Sequence, residues 1–377
     1  VFLTVKEGLE SIPADAEIEW PRTEQSNSTL VVGKKAVVKL FRRTSCGIHP
    51  EAEMGRVLTE RGFTGVAPLY GEVVRSEPKG DGSTLAVVHR FVANQGDGAD
   101  WILSQLARVI DEQAVARTEN APEAFEADTS LAHVLGRRLG EMHAVLAQPA
   151  DDPAFAPERT DQATLRAWCD QAQNQIMTAF KQLGTISGGE ECSRLVKTLL
   201  GKRGELLRYV EDLFAKGCGS LRTRIHGDFH LGQVLVSAGD VVIIDFEGEP
   251  TKPLAERRAK SSPMRDVAGM IRSFDYAAAI TERDRKLASG ASGEARAFEL
   301  LRDFRRLAED AFLEGYVEGR GEPLTANEKC LIDAFTIEKA AYEIAYEIAN
   351  RPDWVDIPLR GLDSLLERIP AKEPAYG

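Results

Sequence analysis

The chain has 377 residues, and a polypeptide of that size buries roughly three quarters of its unfolded surface without needing disulfides. Hydrophobic residues make up 43% and charged residues 28%, which is ordinary for a globular protein. The 47 basic and 59 acidic side chains give a net charge of −12. That balance argues against nucleic acid or an anionic membrane as the main partner, so an anionic ligand must meet a local basic cluster.

The 5 cysteines are scattered and none forms a CxxC pair, so neither a disulfide framework nor a zinc motif is expected. This usage fits a reducing compartment, and we expect a cytoplasmic protein. The longest apolar runs are too short to span a bilayer, and the first residues lack the pattern of a signal peptide. The chain begins with Val1, which would fit a trimmed, processed or fused sequence.

The first part of the chain favours strands. Residues 1–20 are expected to form an irregular or short-stranded segment, and residues 21–97 a small strand-rich lobe. The β-prone runs at 28–32 and 36–41 flank Gly33 and predict a hairpin, and further strands are expected over 71–74 and 85–92. Pro50 is acceptable in the first turn of a helix, which predicts a helix over 51–61.

The second part, residues 98–377, favours helices. Helical periodicity is clearest over 131–146 and 195–214. Strands are expected at 224–226, 234–236 and 241–245, after which helices return from Asp266 with a linker at 289–293. The sequence therefore predicts an α+β protein with a small strand-rich lobe followed by a large helical lobe.

One short segment concentrates residues suited to phosphoryl transfer. It reads HGDFHLGQ at 226–233, and IDFEG follows at 244–248. Asp228 can accept the proton of an incoming hydroxyl, while oxygens of Gln233 and Asp245 can hold Mg²⁺ on nucleotide phosphates, because Mg²⁺ prefers hard oxygen ligands. We therefore expect a catalytic loop at 226–233 and a metal loop at 244–248.

Two other interpretations of this segment stay open on the residues alone. His226, Asp228 and His230 could be turn residues that cap strands. The two histidines could also bind zinc if the segment were helical, although Gly227 and the neighbouring strands disfavour a helix there. The joint spacing of HGDxxxxQ and IDFE favours phosphoryl transfer over both.

The pattern HGDxHxGQ with IDFEGEP resembles the maltokinases, within the aminoglycoside-phosphotransferase branch of the protein-kinase-like fold. Similar blocks are EQSNST at 24–29, VKLFRR at 38–43, PEAEMG at 50–55, EKAAYEIAYEIANRPDW at 338–354 and IPLRG at 357–361. The resemblance implies a two-lobe kinase-like fold, ATP and Mg²⁺ as cofactors, and phosphorylation of maltose to maltose 1-phosphate. That reaction would place the protein in the route from trehalose to α-glucan such as glycogen.

The amino terminus departs from the family pattern. Maltokinases usually carry a longer cap before the nucleotide lobe, so residues 1–20 are expected to be a remnant of that cap. Family members also occur fused to trehalose synthase, which makes that enzyme an expected fusion or complex partner. Two alternative functions remain: a kinase of another sugar or amino sugar such as glucosamine, and a catalytically weak nucleotide-binding domain that accompanies trehalose synthase.

The nucleotide side is expected to centre on Lys39. This lysine lies in an apolar strand, where an unpaired ammonium would be costly, so a phosphate and a helix glutamate are its expected partners. The resemblance assigns the glutamate to Glu53, with Glu51 facing solvent, and places Ser26 and Asn27 over the phosphates. An edge-strand lysine that opposes aggregation is the alternative for Lys39.

The substrate side depends mostly on the resemblance. His230 stands where protein kinases often place a lysine near the γ-phosphate, with a structural hydrogen bond as the alternative. Glu247 could reach metal or substrate, or brace its loop. The tail helix at 338–351 and the residues just beyond it are implied to bind the sugar through rings, a carboxylate and an arginine, with a helix packed on the core as the alternative. The implied residues are Tyr342, Tyr346, Glu347, Arg351 and Trp354.

Overall fold

The computed structural model describes residues 2–5, 12–20, 27–76, 82–116, 121–184, 186, 189–288 and 291–367. Its architecture is the α+β arrangement predicted above, with a strand-rich lobe followed by a helical lobe. The first lobe contains α1 (Pro50–Glu60) and the strands β1 (Phe2–Val5), β2 (Ile18–Glu19), β3 (Ser28–Val32), β4 (Ala36–Leu40), β5 (Leu69–Arg75) and β6 (Ser83–Arg90).

These strands form one antiparallel sheet in the order β1-β5-β6-β4-β3-β2. The predicted hairpin is confirmed, since β3 pairs with β4 and places Thr29 opposite Lys39. Gly33 and Lys34 take positive φ angles of 57° and 51° in its turn. The described parts of residues 1–20 join this sheet through β1 and β2, and their origin as a cap remnant stays a prediction.

The second lobe packs helices around a short hairpin. The helices are α2 (Gly98–Ala116), α3 (Ala121–Ala124), α4 (Glu126–Leu146), α5 (Gln162–Leu183), α6 (Glu190–Ala215), α7 (Leu254–Arg257), α8 (Met264–Ala288), α9 (Ala291–Arg320), α10 (Ala326–Asn350) and α11 (Asp356–Glu367). The strands are β7 (Glu158–Arg159), β8 (Leu221–Arg222), β9 (Val234–Ser237) and β10 (Asp240–Ile243). Within the described ranges, no helix combines the length and apolar character needed to cross a membrane.

Two element predictions in this lobe need correction. The strand predicted at 224–226 is wrong, because β8 ends at Arg222, Thr223 forms an isolated bridge with Ser261, and residues 224–226 run as buried loop. Side chains of the helical lobe hold the loop instead. The linker predicted at 289–293 is also wrong in its second half, since α9 begins at Ala291, and residues 289 and 290 lie outside the described residues.

Helix α10 has clear local signals at both ends. Thr325 and Glu328 form a reciprocal capping box that satisfies backbone donors at its start. The helix ends at Asn350 ahead of Pro352, since proline cannot continue the hydrogen-bond ladder. The tail helix predicted over 338–351 is thus the second half of a 25-residue helix.

The main hydrophobic core extends across both lobes, and a smaller buried cluster of Phe41, Ala52, Leu69 and Val87 lies within the first lobe. The main buried cluster joins the helical lobe to α1 and the loop after it, through residues such as Met54, Leu58 and Val66. The hairpin β9–β10 also bonds to both neighbours, because Gln95 N donates to the Val236 carbonyl and Ile243 N to the Gly65 carbonyl, each at 2.8 Å. The loops at either end of this hairpin are therefore held between the lobes.

Helices α4 and α9 cross at backbone contact. A Cβ atom added at Gly136 would lie 1.9 Å from the Phe312 carbonyl oxygen, and one at Gly315 would lie 2.0 Å from the His133 carbonyl oxygen. Gly140 and Gly319 are equally confined on the same two faces. Only glycine allows this approach, which brings Tyr316 of α9 against His143 of α4.

We expect Gly136→Ala to lower the free energy of unfolding by about 1–3 kcal/mol or more, because the new methyl group overlaps a carbonyl that cannot move alone. Gly201→Ala in α6 is the matched control, since its added Cβ meets nothing within 4 Å. The control should raise stability by about 0.5–1 kcal/mol through helix propensity. Urea denaturation of both variants measures the difference, and equal effects would contradict the close crossing.

Candidate active site

Asp266, at the start of α8, anchors the catalytic loop. Its two carboxylate oxygens accept hydrogen bonds from His226 N at 2.7 Å and Gly227 N at 2.9 Å. The Nε2 atom of His143 lies 3.1 Å from the same carboxylate. Asp266 is fully buried, so the loop backbone ahead of Asp228 is tied to a helix that cannot move independently.

The histidines of the loop serve its conformation. His226 Nε2 donates to the Ile244 carbonyl at 2.9 Å and so links the catalytic loop to the metal loop. His230 Nδ1 accepts from Gly232 N at 3.1 Å and caps the short helical turn that carries Gln233. The segment is not a regular helix, so the two histidines lack the helical spacing that the zinc interpretation assumed. Their hydrogen bonds also occupy ring nitrogens that a zinc ion would need. The structural hydrogen bond considered for His230 is present.

Asp228 forms an ion pair that sequence reasoning missed. Its Oδ1 atom accepts a hydrogen bond from Lys339 Nζ of α10 at 3.0 Å. Burial alone would raise the pKa of Asp228, but the positive charge of Lys339 and the neighbouring His230 lower it below its usual value. Asp228 is therefore ionised at neutral pH, as a proton acceptor must be.

Lys39 joins the sheet to the metal loop. Its Nζ atom lies 2.5 Å from Asp245 Oδ1 and 2.7 Å from Glu247 Oε1. Burial lowers the pKa of this ammonium, but the surrounding carboxylates outweigh that effect and raise it above its usual value. Asn27 Nδ2 donates to Glu247, so this asparagine lies at the same cluster, while Ser26 lies outside the described residues. One lysine thus balances two acidic side chains of the opposite lobe.

The predicted pairing of Lys39 with Glu53 is wrong. Glu51 is the helix carboxylate near Lys39, at 3.8 Å, and it is 4% exposed rather than facing solvent. Burial alone would raise the pKa of Glu51, but Lys39 and His89 lower it to about 2. The reason is helical phase, because positions i and i+2 differ by about 200° around an α-helix.

Glu53 points the other way and joins different elements. It accepts hydrogen bonds from Arg224 Nη1 at 2.6 Å and Arg258 Nη2 at 2.6 Å. Arg224 is fully buried, so this carboxylate supplies the countercharge that its guanidinium requires. Glu53 therefore stabilises the contact between α1 and the segment that leads into the catalytic loop.

The donor set at the metal loop fits Mg²⁺. Asp245 adopts a left-handed φ of 66°, rare outside glycine, and this turn directs its carboxylate to Lys39. Asp245 and Glu247 place hard oxygens side by side, and Gln233 lies in the turn that precedes β9. One or two carboxylates together with nucleotide phosphates is the usual protein environment of Mg²⁺. Glu247, predicted to bind substrate, contacts Lys39 and Asn27.

The cavity beside Asp228 is small, at about 60 Å³. Its described lining comes from the catalytic loop, the loop after Glu247, and helices α5, α8 and α10. The charged lining residues are Asp228, Glu249, Lys252, Arg265, Asp266, Glu338 and Lys339. Tyr342 is the member of the predicted sugar set that lines it. A larger cleft of about 1170 Å³ lies between α6, α8, α9 and α11, and its described lining includes none of the predicted site residues.

The other predicted sugar residues lead away from this cavity. Tyr346 is 43% exposed and stacks against Tyr342 with ring centroids 6.1 Å apart. The Arg351 guanidinium lies 4.9 Å from the Trp354 ring. These residues form a surface row at the end of α10.

The prediction that Glu347 contacts the sugar needs correction. This side chain is 2% exposed, and Arg351 Nε donates to its Oε2 atom at 2.9 Å. Its Oε1 atom accepts hydrogen bonds from Arg351 and from the Tyr276 hydroxyl. Both oxygens are therefore committed to protein donors, and Glu347 orients Arg351.

Comparison with known proteins identifies the family. Residues 20–300 match the family described as the phosphotransferase enzyme family (APH), and the chain belongs to it. The chain is 29% identical over 348 residues to a glucosamine kinase of Mycolicibacterium smegmatis, covering 91% of this chain and 78% of that protein. It is 25% identical over 359 residues to a glucosamine kinase of Streptacidiphilus jiangxiensis, covering 92% and 73%.

A solved structure shows the same fold. It is a glucosamine kinase in complex with glucosamine, ADP and inorganic phosphate, with a TM-score of 0.73 and 22% sequence identity. The match covers 97% of this chain and 79% of that one. The fold and the phosphotransferase family expected from the sequence are thus confirmed, the family by the match over residues 20–300. The curated relatives carry the name glucosamine kinase and not maltokinase.

The corrected pairing around α1 predicts different outcomes for two neighbouring substitutions. Glu51→Gln should raise the KM for ATP, because it removes a charge that holds Lys39 in place. Glu53→Gln should instead lower the melting temperature and leave the KM for ATP nearly unchanged, because it weakens the countercharge of buried Arg224. Steady-state kinetics and thermal melts on the pair give the answer. A Glu53→Gln variant that melts normally but loses ATP affinity would instead support the predicted pairing of Lys39 with Glu53.

Proposed function

We propose that this protein transfers the γ-phosphoryl group of ATP to a hydroxyl group of an amino sugar, with glucosamine as the leading substrate. The observation that carries the proposal is the position of Asp228, an ionised carboxylate that lines a small, charged cavity. Lys39 and two acidic side chains cluster in the metal loop that the His226–Ile244 bond ties to the catalytic loop. Family membership and the names of the curated relatives support the same reaction class.

On the nucleotide side, Lys39 would exchange its contacts with Asp245 and Glu247 for contacts with the phosphates of ATP. Asp245, Glu247 and Gln233 would then hold Mg²⁺, which neutralises phosphate charge when bound. The hydrogen bond from Asn27 keeps Glu247 beside Lys39. These residues position the phosphates, and positioning supplies most of the catalysis in phosphoryl transfer.

On the acceptor side, Asp228 would take the proton of the attacking hydroxyl. The hydroxyl oxygen forms a bond to the γ-phosphorus, and the bond from that phosphorus to the bridging oxygen of the β-phosphate breaks. The electron pair of the broken bond leaves with ADP. Asp266 keeps the loop backbone in place during this step, so the carboxylate meets the acceptor in one orientation.

Two properties of the cavity favour an amino sugar. Its described lining holds four acidic and three basic side chains, an excess of negative charge that suits an ammonium group. The cavity is also small, at about 60 Å³. A monosaccharide therefore demands less opening of the site than a disaccharide does.

Maltose is the second candidate, and one observation favours it. Tyr342 lines the cavity, and Tyr346, Arg351 and Trp354 continue outward from it as a row of flat groups. Such a row can stack on a second sugar ring beyond the first. The similarity of residues 338–354 to the maltokinase tail points the same way, and a trehalose synthase partner and a role in the trehalose route depend on this candidate.

A panel of acceptors separates the candidates. We expect ADP release with Mg²⁺ and ATP to show the highest kcat/KM for glucosamine, followed by glucose, with maltose and an aminoglycoside lower. The Arg351→Ala variant is the matched control, because it removes part of the outer row and should leave glucosamine kinetics within about twofold. A maltose preference that Arg351→Ala abolishes would establish the second candidate, and no turnover with any of the four acceptors would overturn the proposed function.

A further inference from the structure

Lys339 holds a position that no step described so far requires. It lies in the middle of α10 and reaches the catalytic loop, where its Nζ atom is 3.0 Å from Asp228 Oδ1. The same ammonium is 5.0 Å from the centroid of the Tyr342 ring, one turn further along the helix. Its side chain is 29% exposed and lines the cavity beside Asp228, so it stands where the acceptor must arrive.

The ion pair leaves both partners with unused capacity. A carboxylate has two oxygens, so Asp228 can hold Lys339 through Oδ1 and accept a hydroxyl proton through Oδ2. An ammonium group carries three N–H donors, and one of them is committed to Asp228. The other donors, in a site that loses water as substrate enters, need oxygen acceptors. An acceptor oxygen next to the reacting hydroxyl meets that need.

The charge of Lys339 also restricts what can bind there. A second ammonium placed against it would face a like charge in a partly buried site, where screening by water is weak. The acidic groups Glu249 and Glu338 lie elsewhere in the lining and are paired with Lys252 at 2.7 Å and Arg265 at 3.1 Å. A cationic substituent is therefore disfavoured next to the reacting hydroxyl.

We propose that Lys339 is an acceptor-positioning residue: it orients the Asp228 carboxylate, donates a hydrogen bond to an uncharged oxygen beside the reacting hydroxyl, and excludes a positively charged group from that place. This inference rests on the proposed function and adds a rule for its acceptor. The hydroxyl that is phosphorylated must have a neutral oxygen neighbour, and any amino group must lie further away.

The protonation states agree with this role. Burial alone would lower the pKa of Lys339, but Asp228 and Glu343 outweigh it and raise the pKa above its usual value. The described charged and titratable groups that face Asp228 come from the catalytic loop, α8, α10 and the loop after β10. They are His226, His230, Arg265, Asp266, Glu249, Lys252, Glu338, Lys339 and Tyr342. Lys339 is the largest source of the lowered Asp228 pKa among them.

The sign of the pH effect follows from that contribution. Asp228 must be deprotonated to act, so kcat/KM rises with pH through the pKa of this carboxyl. Removing the ammonium of Lys339 removes a charge that favours the carboxylate, and the pKa of Asp228 must rise. The acid limb of the pH profile therefore moves to higher pH in a variant without the charge.

The test compares Lys339→Met with Lys339→Arg. Lys339→Met keeps the aliphatic stem but should raise the KM for the acceptor about ten- to a hundredfold, the loss of a hydrogen bond to a charged group. The KM for ATP should stay within about twofold, and the acid limb of kcat/KM should move to higher pH. Lys339→Arg keeps the charge and should keep the acid limb of the wild type.

An unchanged acid limb in Lys339→Met would overturn the inference. A parallel loss of ATP affinity, acceptor affinity and melting temperature would do the same, because it would mark a purely structural lysine. If Lys339→Met fails to fold, Lys339→Gln, which is polar and uncharged, replaces it in the same comparison.

A second measurement keeps this inference separate from the proposed function. The carboxyl ¹³C resonance of Asp228, assigned with Asp228→Asn, can be titrated in the wild type and in Lys339→Met without any substrate. We expect the higher pKa in the variant. Equal pKa values would overturn the role of Lys339 even if glucosamine is phosphorylated. A raised pKa together with an inactive acceptor panel would support the ion pair and overturn the proposed function alone.

Discussion

The arrangement of this site depends on the need of every buried charge for a partner. Lys39 enters from the sheet of the first lobe and meets Asp245 and Glu247 from the hairpin loop of the second, at 2.5 and 2.7 Å. An isolated ammonium at this depth would be expensive, so these contacts draw the lobes together at one point. The same requirement explains the pair between Asp228 and Lys339, which fixes the catalytic loop against α10. Two lysines thus anchor two parts of the site, which the proposed function assigns to the phosphates and to the acceptor.

Much of this arrangement follows from local sequence. The hairpin β9–β10 brings the loop that carries Asp228 and the loop that carries Asp245 to the same end of the strand pair, and their spacing along the chain is enough to predict that. The strands β3 and β4 and the helix α1 also follow from β-prone runs, a glycine turn and a proline at the helix start. These signals act over a few residues, and such short-range preferences survive in the folded protein.

The missed features depend on packing between distant segments. Glu51 and Glu53 differ by two positions, and only the rotation of α1 against the sheet decides which of them faces Lys39. Lys339 follows Asp228 by 111 residues, and neither periodicity nor spacing marks it as a partner. At the end of α10 the sequence suggested a contact that is absent. Glu347 lies in a motif that suggested sugar contact, yet its side chain is buried and bonded to Arg351 and Tyr276. Tertiary contacts therefore determine which of these side chains reach the site.

The most direct test of this account is single-turnover phosphoryl transfer by the Asp228→Asn variant, with binding of ATP measured separately by calorimetry. The substitution preserves shape and removes the proton acceptor, and a thermal melt checks that Lys339 without its partner does not unfold the site. The account predicts that transfer to the sugar falls by roughly 10²–10⁴-fold while ATP affinity stays close to that of the wild type. Transfer at nearly the wild-type rate in a folded variant would contradict it.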